Sequence, residues 1–122
     1  MAVSFNLIDG PRPLTHLRLA GALDLEWTQT TGRALRDLLI GHNRPAVIDL
    51  SEVRLLSPAA VSTLVTCCRR LLKAGHDMVV VRPPGLIAGV LSLWGLTGVF
   101  KVADSFEDAL GKLWPGAVDA DG

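Results

Sequence analysis

The chain has 122 residues and 49% of them are apolar, enough to bury one hydrophobic core without disulfide or metal staples. Twelve basic and twelve acidic residues leave a formal net charge of zero, which argues against a nucleic-acid grip or a polybasic membrane anchor, since both need clustered positive charge. No apolar run is long enough to span a bilayer, and the start, MAVSFNLIDGPRP, lacks the basic head and apolar block of a signal peptide, so a cytoplasmic protein without direct membrane insertion is expected.

Taken in chain order, Ala2–Ile8 reads as a strand ended by the turn signal Asp9-Gly10-Pro11. Alternation over Leu14–Ala20 predicts a second strand, antiparallel to the first. From Glu26 to Ile40, Trp27, Leu35, Leu38 and Leu39 form the apolar stripe of a helix, with Gly41 as its stop. Ala46–Leu50 and Met78–Val81 are short continuous apolar runs, the pattern of strands buried on both faces. Between them, Pro58–Ala74 carries Val61, Leu64, Val65, Cys68, Leu71 and Leu72 at helical spacing. Ser62, Thr66, Arg69, Arg70 and Lys73 fall on the wetter side, and Gly75 closes the helix. A third helix is expected over about Pro84 to Leu93, ending near Gly95, with Trp94 beside it as core packing or a hydrophobic patch. A short strand at Val99–Val102 and a final helix follow. That helix opens at Ser105, with Asp108 three residues on in a capping-box arrangement. The last residues, PGAVDADG, offer little to bury, so the expected division is a domain over 1–114 and a flexible tail over 115–122.

Strands alternating with helices in this order predict an α/β fold: a mixed, mostly parallel sheet of four to five strands with about four helices packed on it and right-handed crossovers.

Residues that carry catalysis are mostly missing from recognisable patterns. There is no glycine-rich phosphate loop and no Gly-x-Ser-x-Gly elbow. His16, His42 and His76 lie far apart without ligand spacing. No catalytic residue, metal or cofactor is therefore expected, and the chain does not read as an enzyme. Cys67 and Cys68 are neighbours on a helix and poorly placed to bridge each other; Cys68 is expected in the core and Cys67 as a free thiol.

The informative stretch runs from Val47 to Ser62, VIDLSEVRLLSPAAVS, a buried strand leading through a loop into a helix. Ser57-Pro58 is a strong helix start: the serine can accept from a first-turn amide, and proline at the first helical position loses no needed donor. The free amides and dipole make such an end mildly electropositive, suited to an anion. Asp24 can likewise cap the helix beginning near Glu26.

Here the chain resembles the STAS domain of anti-sigma-factor antagonists. Gly21-Ala22-Leu23-Asp24 is similar to the family's Gly-Glu-Leu-Asp, and Ile48-Asp49-Leu50 with Val53 is similar to the strand and turn before its phosphorylation loop. The stretch Val90–Leu110 is similar to its C-terminal half, so the resemblance runs from about Leu14 to Leu110. It implies a STAS-like fold and a switch. The unphosphorylated protein binds a kinase-like anti-sigma factor, and phosphorylation of a serine or threonine at the start of the second helix ends binding. The usual motif there is Asp-Ser-Ser-Gly, and this chain has Ser57, Pro58, Ala59 and Ala60 on those four positions. The phosphoacceptor position falls on Ala59, which has no hydroxyl and cannot be phosphorylated.

The resemblance therefore implies a non-switching variant that docks through Asp24, Ser57, Pro58, Ala59, Ala60 and Ser62. Ser57 and Ser62 stand as alternative phosphoacceptors, although Ser57 also reads simply as a helix cap and Ser62 as a solvated position. Two other roles fit the same residues. One is a scaffold subunit of a larger assembly, such as a lipid-transport ABC complex. The other is a small-ligand or anion-binding module at the helix start near Pro58. A homodimer is compatible with each.

Overall fold

The computed structural model describes residues 2–9, 12–82 and 101–114. Five strands form one sheet in the order β1-β2-β3-β4-β5: β1 is Ala2–Ile8, β2 Leu14–Leu23, β3 Ala46–Leu56, β4 Met78–Val81 and β5 Lys101–Ala103. β1 pairs antiparallel with β2, from Ala2 opposite Ala20 to Ile8 opposite Leu14, as the alternating sequence predicts. All the other pairings are parallel.

β2 runs further than its alternation suggests, and β3 further than its apolar run. β2 continues past Ala20 to Leu23, and β3 past Leu50 to Leu56, because the two extensions pair with each other. Register shifts fall between Arg18 and Ala20 and between Gly21 and Ala22, and each shift breaks the inward–outward alternation that a sequence pattern relies on. Gly21 sits at the second with φ 93°, a backbone conformation that favours glycine. Asp49 supports this part of β3: one carboxylate oxygen accepts from the Ser51 amide at 2.9 Å and the other faces Arg18 at 3.7 Å.

The first helix, α1, spans residues 25–42. It is α-helical over Leu25–Trp27, π-helical over Thr28–Gly32 and α-helical again over Arg33–His42. Gly41 does not stop it. The helix runs to His42, and Asn43 ends it in the left-handed conformation at φ 49°, the other residue type that tolerates that geometry. α2 spans Pro58–Lys73 and is closed by Gly75 at φ 88°. α3 spans Phe106–Leu113 with Ser105 as its cap, the Asp108 amide donating to Ser105 Oγ at 3.0 Å. The reciprocal bond of a capping box is displaced by one residue: Asp108 Oδ2 accepts from the Asp104 amide, also at 3.0 Å.

Successive strand residues point to opposite faces of a sheet, and the core divides accordingly. Ile48 and Val80 belong to the larger cluster, with Trp27, Leu35 and Leu39 of α1 and Val61, Leu64 and Leu71 of α2. Their neighbours Val47, Val79 and Val81 belong to a second cluster with Ala109 of α3 and the half-buried Phe106, Leu110, Leu113 and Trp114. The sheet thus lies between α1 and α2 on one face and α3 on the other, an α/β arrangement with a mixed, mostly parallel sheet.

Two expectations about α2 change. Cys67 is buried together with Cys68, because α1 and the sheet cover α2 from two directions and widen its buried stripe. Leu72, placed on that stripe by spacing alone, is 44% exposed. The helix expected over about Pro84–Leu93, Trp94, the strand start at Val99 and the tail over 115–122 lie outside the described residues. Among the described residues, no helix is long and apolar enough to cross a membrane.

Candidate functional site

β2 and β3 end side by side, Leu23 opposite Leu56, and each strand feeds directly into a helix. The residues that follow, Asp24 and Ser57, occupy equivalent positions and do the same work. Asp24 Oδ1 accepts from the Trp27 amide at 2.8 Å, and Ser57 Oγ accepts from the Ala60 amide at 3.1 Å. Both satisfy a first-turn donor that would otherwise lack a partner. One further bond joins the two helix starts: the Ser57 amide donates to the Leu23 carbonyl at 2.9 Å. The parallel ladder therefore continues one residue beyond the strands, and the tips of α1 and α2 are held together at the carboxyl end of the sheet.

The two tips differ in charge. α1 begins with the exposed carboxylates of Asp24 and Glu26, whereas the first turn of α2 contains no acidic residue. The partial positive charge of the α2 N-terminus is thus left uncompensated on its own helix.

Of the residues expected at a docking surface, Asp24, Pro58 and Ser62 are exposed, and Ser57 and Ala59 are half-buried. Ser62 lies one turn along from Pro58 and so shares its helix face. Ala60 does not join them: it is 0% exposed and packs into the larger core cluster, so its side chain offers nothing to a partner. The physical reason is helical phase, because Ala60 and Leu64 share the inward face. Ala59 presents a bare methyl group, and its carbonyl accepts from Thr63 Oγ1 at 3.1 Å.

Two apolar residues to which the sequence pattern assigns no role stand at the same end of the sheet. Leu25, immediately after Asp24, is 57% exposed, and Leu55, immediately before Leu56, is 47% exposed. A signal for Leu55 exists: of two successive leucines on one strand, only one can face the larger core cluster. A shallow cleft of about 210 Å³ is lined by Ala22, Asp24, Glu26, Trp27 and Thr30. The Trp27 indole N–H is buried without a hydrogen-bond partner among the described residues.

The histidines are separate from this surface. His16 stacks on Phe106 with ring centroids 4.3 Å apart, and His42 lies 5.5 Å from the Phe5 ring. Burial lowers the pKa of His16, with Asp49 acting in the opposite direction and Arg18 adding to the effect. Burial raises both cysteine thiols to about 11. Among the described residues, no three His, Cys, Asp or Glu side chains gather as a metal site. Among the described residues, the site offers an exposed leucine, a proline and a helix end.

Comparison with known proteins agrees with this geometry. Residues 9–104 match the family described as "Mlab, STAS domain". A putative anti-sigma factor antagonist from Thermotoga maritima superposes with a TM-score of 0.77 at 20% identity, over 90% of this chain and 92% of that one. An anti-sigma factor antagonist from Mycobacterium paratuberculosis gives 0.74 at 22%, over 92% and 94%. SpoIIAA in its unphosphorylated form, also an anti-sigma factor antagonist, gives 0.68 at 16%, over 89% and 95%. At these identities the likeness is one of fold. No curated protein matches the sequence.

Proposed function

This chain belongs to the STAS domain family, and on that premise we propose that it is an anti-sigma-factor antagonist-like regulatory protein that docks onto a kinase-like anti-sigma factor through the joined tips of α1 and α2. It works in the cytoplasm as a binding protein, not as an enzyme, and needs no nucleic acid or cofactor. Solved anti-sigma factor antagonists that share its fold support the class of partner. The observation that supports the reading is the Ser57–Leu23 hydrogen bond, which ties the starts of α1 and α2 together and sets the exposed Leu25 and Pro58 at the same end of the sheet. Full burial of a leucine against a partner is worth about 1.5–3 kcal/mol, so Leu25 and the proline can help anchor a complex.

Docking in this chain is not switched at the usual position. A phosphate at residue 59 would bring about −1.5 to −2 charges to the contact surface, but Ala59 has no hydroxyl to esterify. The surface keeps its apolar character, and occupancy follows the concentration of the partner.

The test is calorimetric binding of the chain to a kinase-like anti-sigma factor from the same cell, followed by intact mass after incubation with ATP. Ala59→Glu should weaken the complex at least about tenfold, since it buries a carboxylate without a partner. Ala59→Ser should gain one phosphate on that residue and lose binding. Unchanged affinity of Ala59→Glu counts against the docking surface. Stoichiometric phosphate on Ser57 or Ser62 of the natural chain would end the non-switching reading.

A second reading keeps the fold and makes the chain a constitutive scaffold subunit of a larger assembly, such as a lipid-transport ABC complex. Ala59 favours it, because a scaffold needs no phosphoacceptor. Stable co-purification with a transporter ATPase, with no affinity for the anti-sigma factor, would select this reading.

A further inference from the structure

A cleft lies over the seam between α1 and α2, one turn along from the joined helix tips. It measures about 320 Å³ and is lined by Thr28, Gln29, Gly32, Arg33, Arg36 and Thr63, near the lower end of volumes that hold small ligands. The π-helical turn Thr28–Gly32 forms one wall. Single π-turns inside α-helices recur at functional positions. Here the turn sets Gly32 against α2: a Cβ at that residue would lie 3.4 Å from the Trp27 ring and 3.7 Å from the Thr63 methyl group.

The chemistry of the lining is one-sided. Among the described residues, no acidic side chain borders the cleft. Arg33 is exposed and makes no ion pair among the described residues. Among the described residues, Arg36 pairs with its neighbour Asp37 alone, at 3.6 Å and with the Asp37 side chain 70% exposed, a pairing that water screens. In a chain of zero net charge, two arginines lining one cleft are not a by-product of a basic protein.

The two hydroxyls narrow the ligand. Thr28 Oγ1 donates to the Asp24 carbonyl at 3.0 Å, and Thr63 Oγ1 donates to the Ala59 carbonyl at 3.1 Å. Their hydrogens are committed, so towards the cleft they can only accept. The donors that remain are the guanidinium groups and the Gln29 amide. We propose that this cleft binds a small phosphate ester bearing free hydroxyls: the phosphate is held by Arg33 and Arg36, and the hydroxyls donate to Thr28 and Thr63. Bidentate guanidinium contacts suit a phosphate, while inorganic phosphate leaves the threonine acceptors less well used.

The test uses the full chain and a defined probe. Ribose 5-phosphate is titrated against inorganic phosphate, with the Arg33 and Arg36 side-chain N–H and the Gly32 amide followed by NMR; phosphatidylglycerol vesicles form a separate sedimentation arm. The sugar phosphate or the vesicles should bind, and the R33Q/R36Q variant should lose roughly tenfold or more, as expected for charged hydrogen bonds. Gln29→Ala, at an exposed position, should weaken binding while leaving the fold intact. A response to ribose 5-phosphate assigns the ligand to a soluble ester, and a response to vesicles alone assigns it to a lipid headgroup; either upholds the site. No response in either arm, equal affinity for inorganic phosphate and ribose 5-phosphate, or undiminished binding by R33Q/R36Q overturns it.

Discussion

The Ser57 amide donates to the Leu23 carbonyl at 2.9 Å, so the start of α2 hangs from the end of β2. Two parallel strands that end level would leave their last backbone groups to water. Here the last carbonyl of one takes the first amide beyond the other. Each helix start then needs only its own cap, Asp24 for α1 and Ser57 for α2, to be fixed relative to its neighbour.

Removing either cap should therefore cost stability without dissolving the arrangement. Ser57→Ala and Asp24→Ala should each lose about 1 kcal/mol, read as a lower urea midpoint with an unchanged slope. Ser57→Asp and Asp24→Asn keep an acceptor in place and should lie close to the natural chain. An alanine variant as stable as the natural chain would show that its cap bond is not formed in solution.

Two glycines should respond to alanine in opposite ways. Gly41 lies inside α1 with nothing within 4 Å of the position a Cβ would take, so Gly41→Ala should stabilise by about 0.5–1 kcal/mol through helix propensity. Gly75 has φ 88°, where an L side chain is strained, and Gly75→Ala should destabilise by about 1 kcal/mol. Thermal denaturation of the two variants side by side gives the signs. A destabilised Gly41→Ala would restore Gly41 as the stop of α1 in place of Asn43.

Acid should weaken the packing of α3 on the sheet. The His16 ring lies against Phe106, its Nε2 is buried without a partner among the described residues, and burial holds its pKa below 6.5. Below that value the unfolded chain binds a proton that the folded chain resists, so stability is complete above 6.5 and falls as the pH drops through it. His16→Phe keeps a ring against Phe106 and removes the titration. Its urea midpoint should change less between neutral pH and about one unit below 6.5 than that of the natural chain. Equal pH dependence of the two would place the effect elsewhere.

Neither cysteine should act as a redox sensor. Cys67 and Cys68 are each 1% exposed, and burial pushes both thiols up to about 11. Cys67 is partly relieved by Arg36 and Arg70, whereas Asp77 raises Cys68 further. Little thiolate exists at neutral pH, and the thiolate is the reactive species. A disulfide reagent should titrate essentially no thiol in the native protein and both after denaturation. Rapid stoichiometric labelling of the native chain would mean that α2 opens readily.

Short-range chemistry is legible in the sequence alone. Serine before proline, an aspartate before the first turn of α1 and Ser105 three residues ahead of Asp108 are caps whose donor and acceptor lie within one turn, and all three hold. The buried strands Ala46–Leu50 and Met78–Val81 and the stripe of α2 are periodic within single elements, and the α/β order follows from them.

The remaining features depend on contacts between segments distant in the chain. β2 and β3 gain their last residues by pairing with each other across two register shifts, and a shifted register erases the alternation that marks a strand. Cys67 becomes core because α1 closes over a second side of α2, and Ala60 leaves the surface through the same packing. Leu25 and Leu55 stay exposed because nothing among the described residues covers that end of the sheet. Caps and periods are local free-energy minima that a sequence carries within itself. Which side of each element is covered is a property of neighbours, and only the folded chain brings them together.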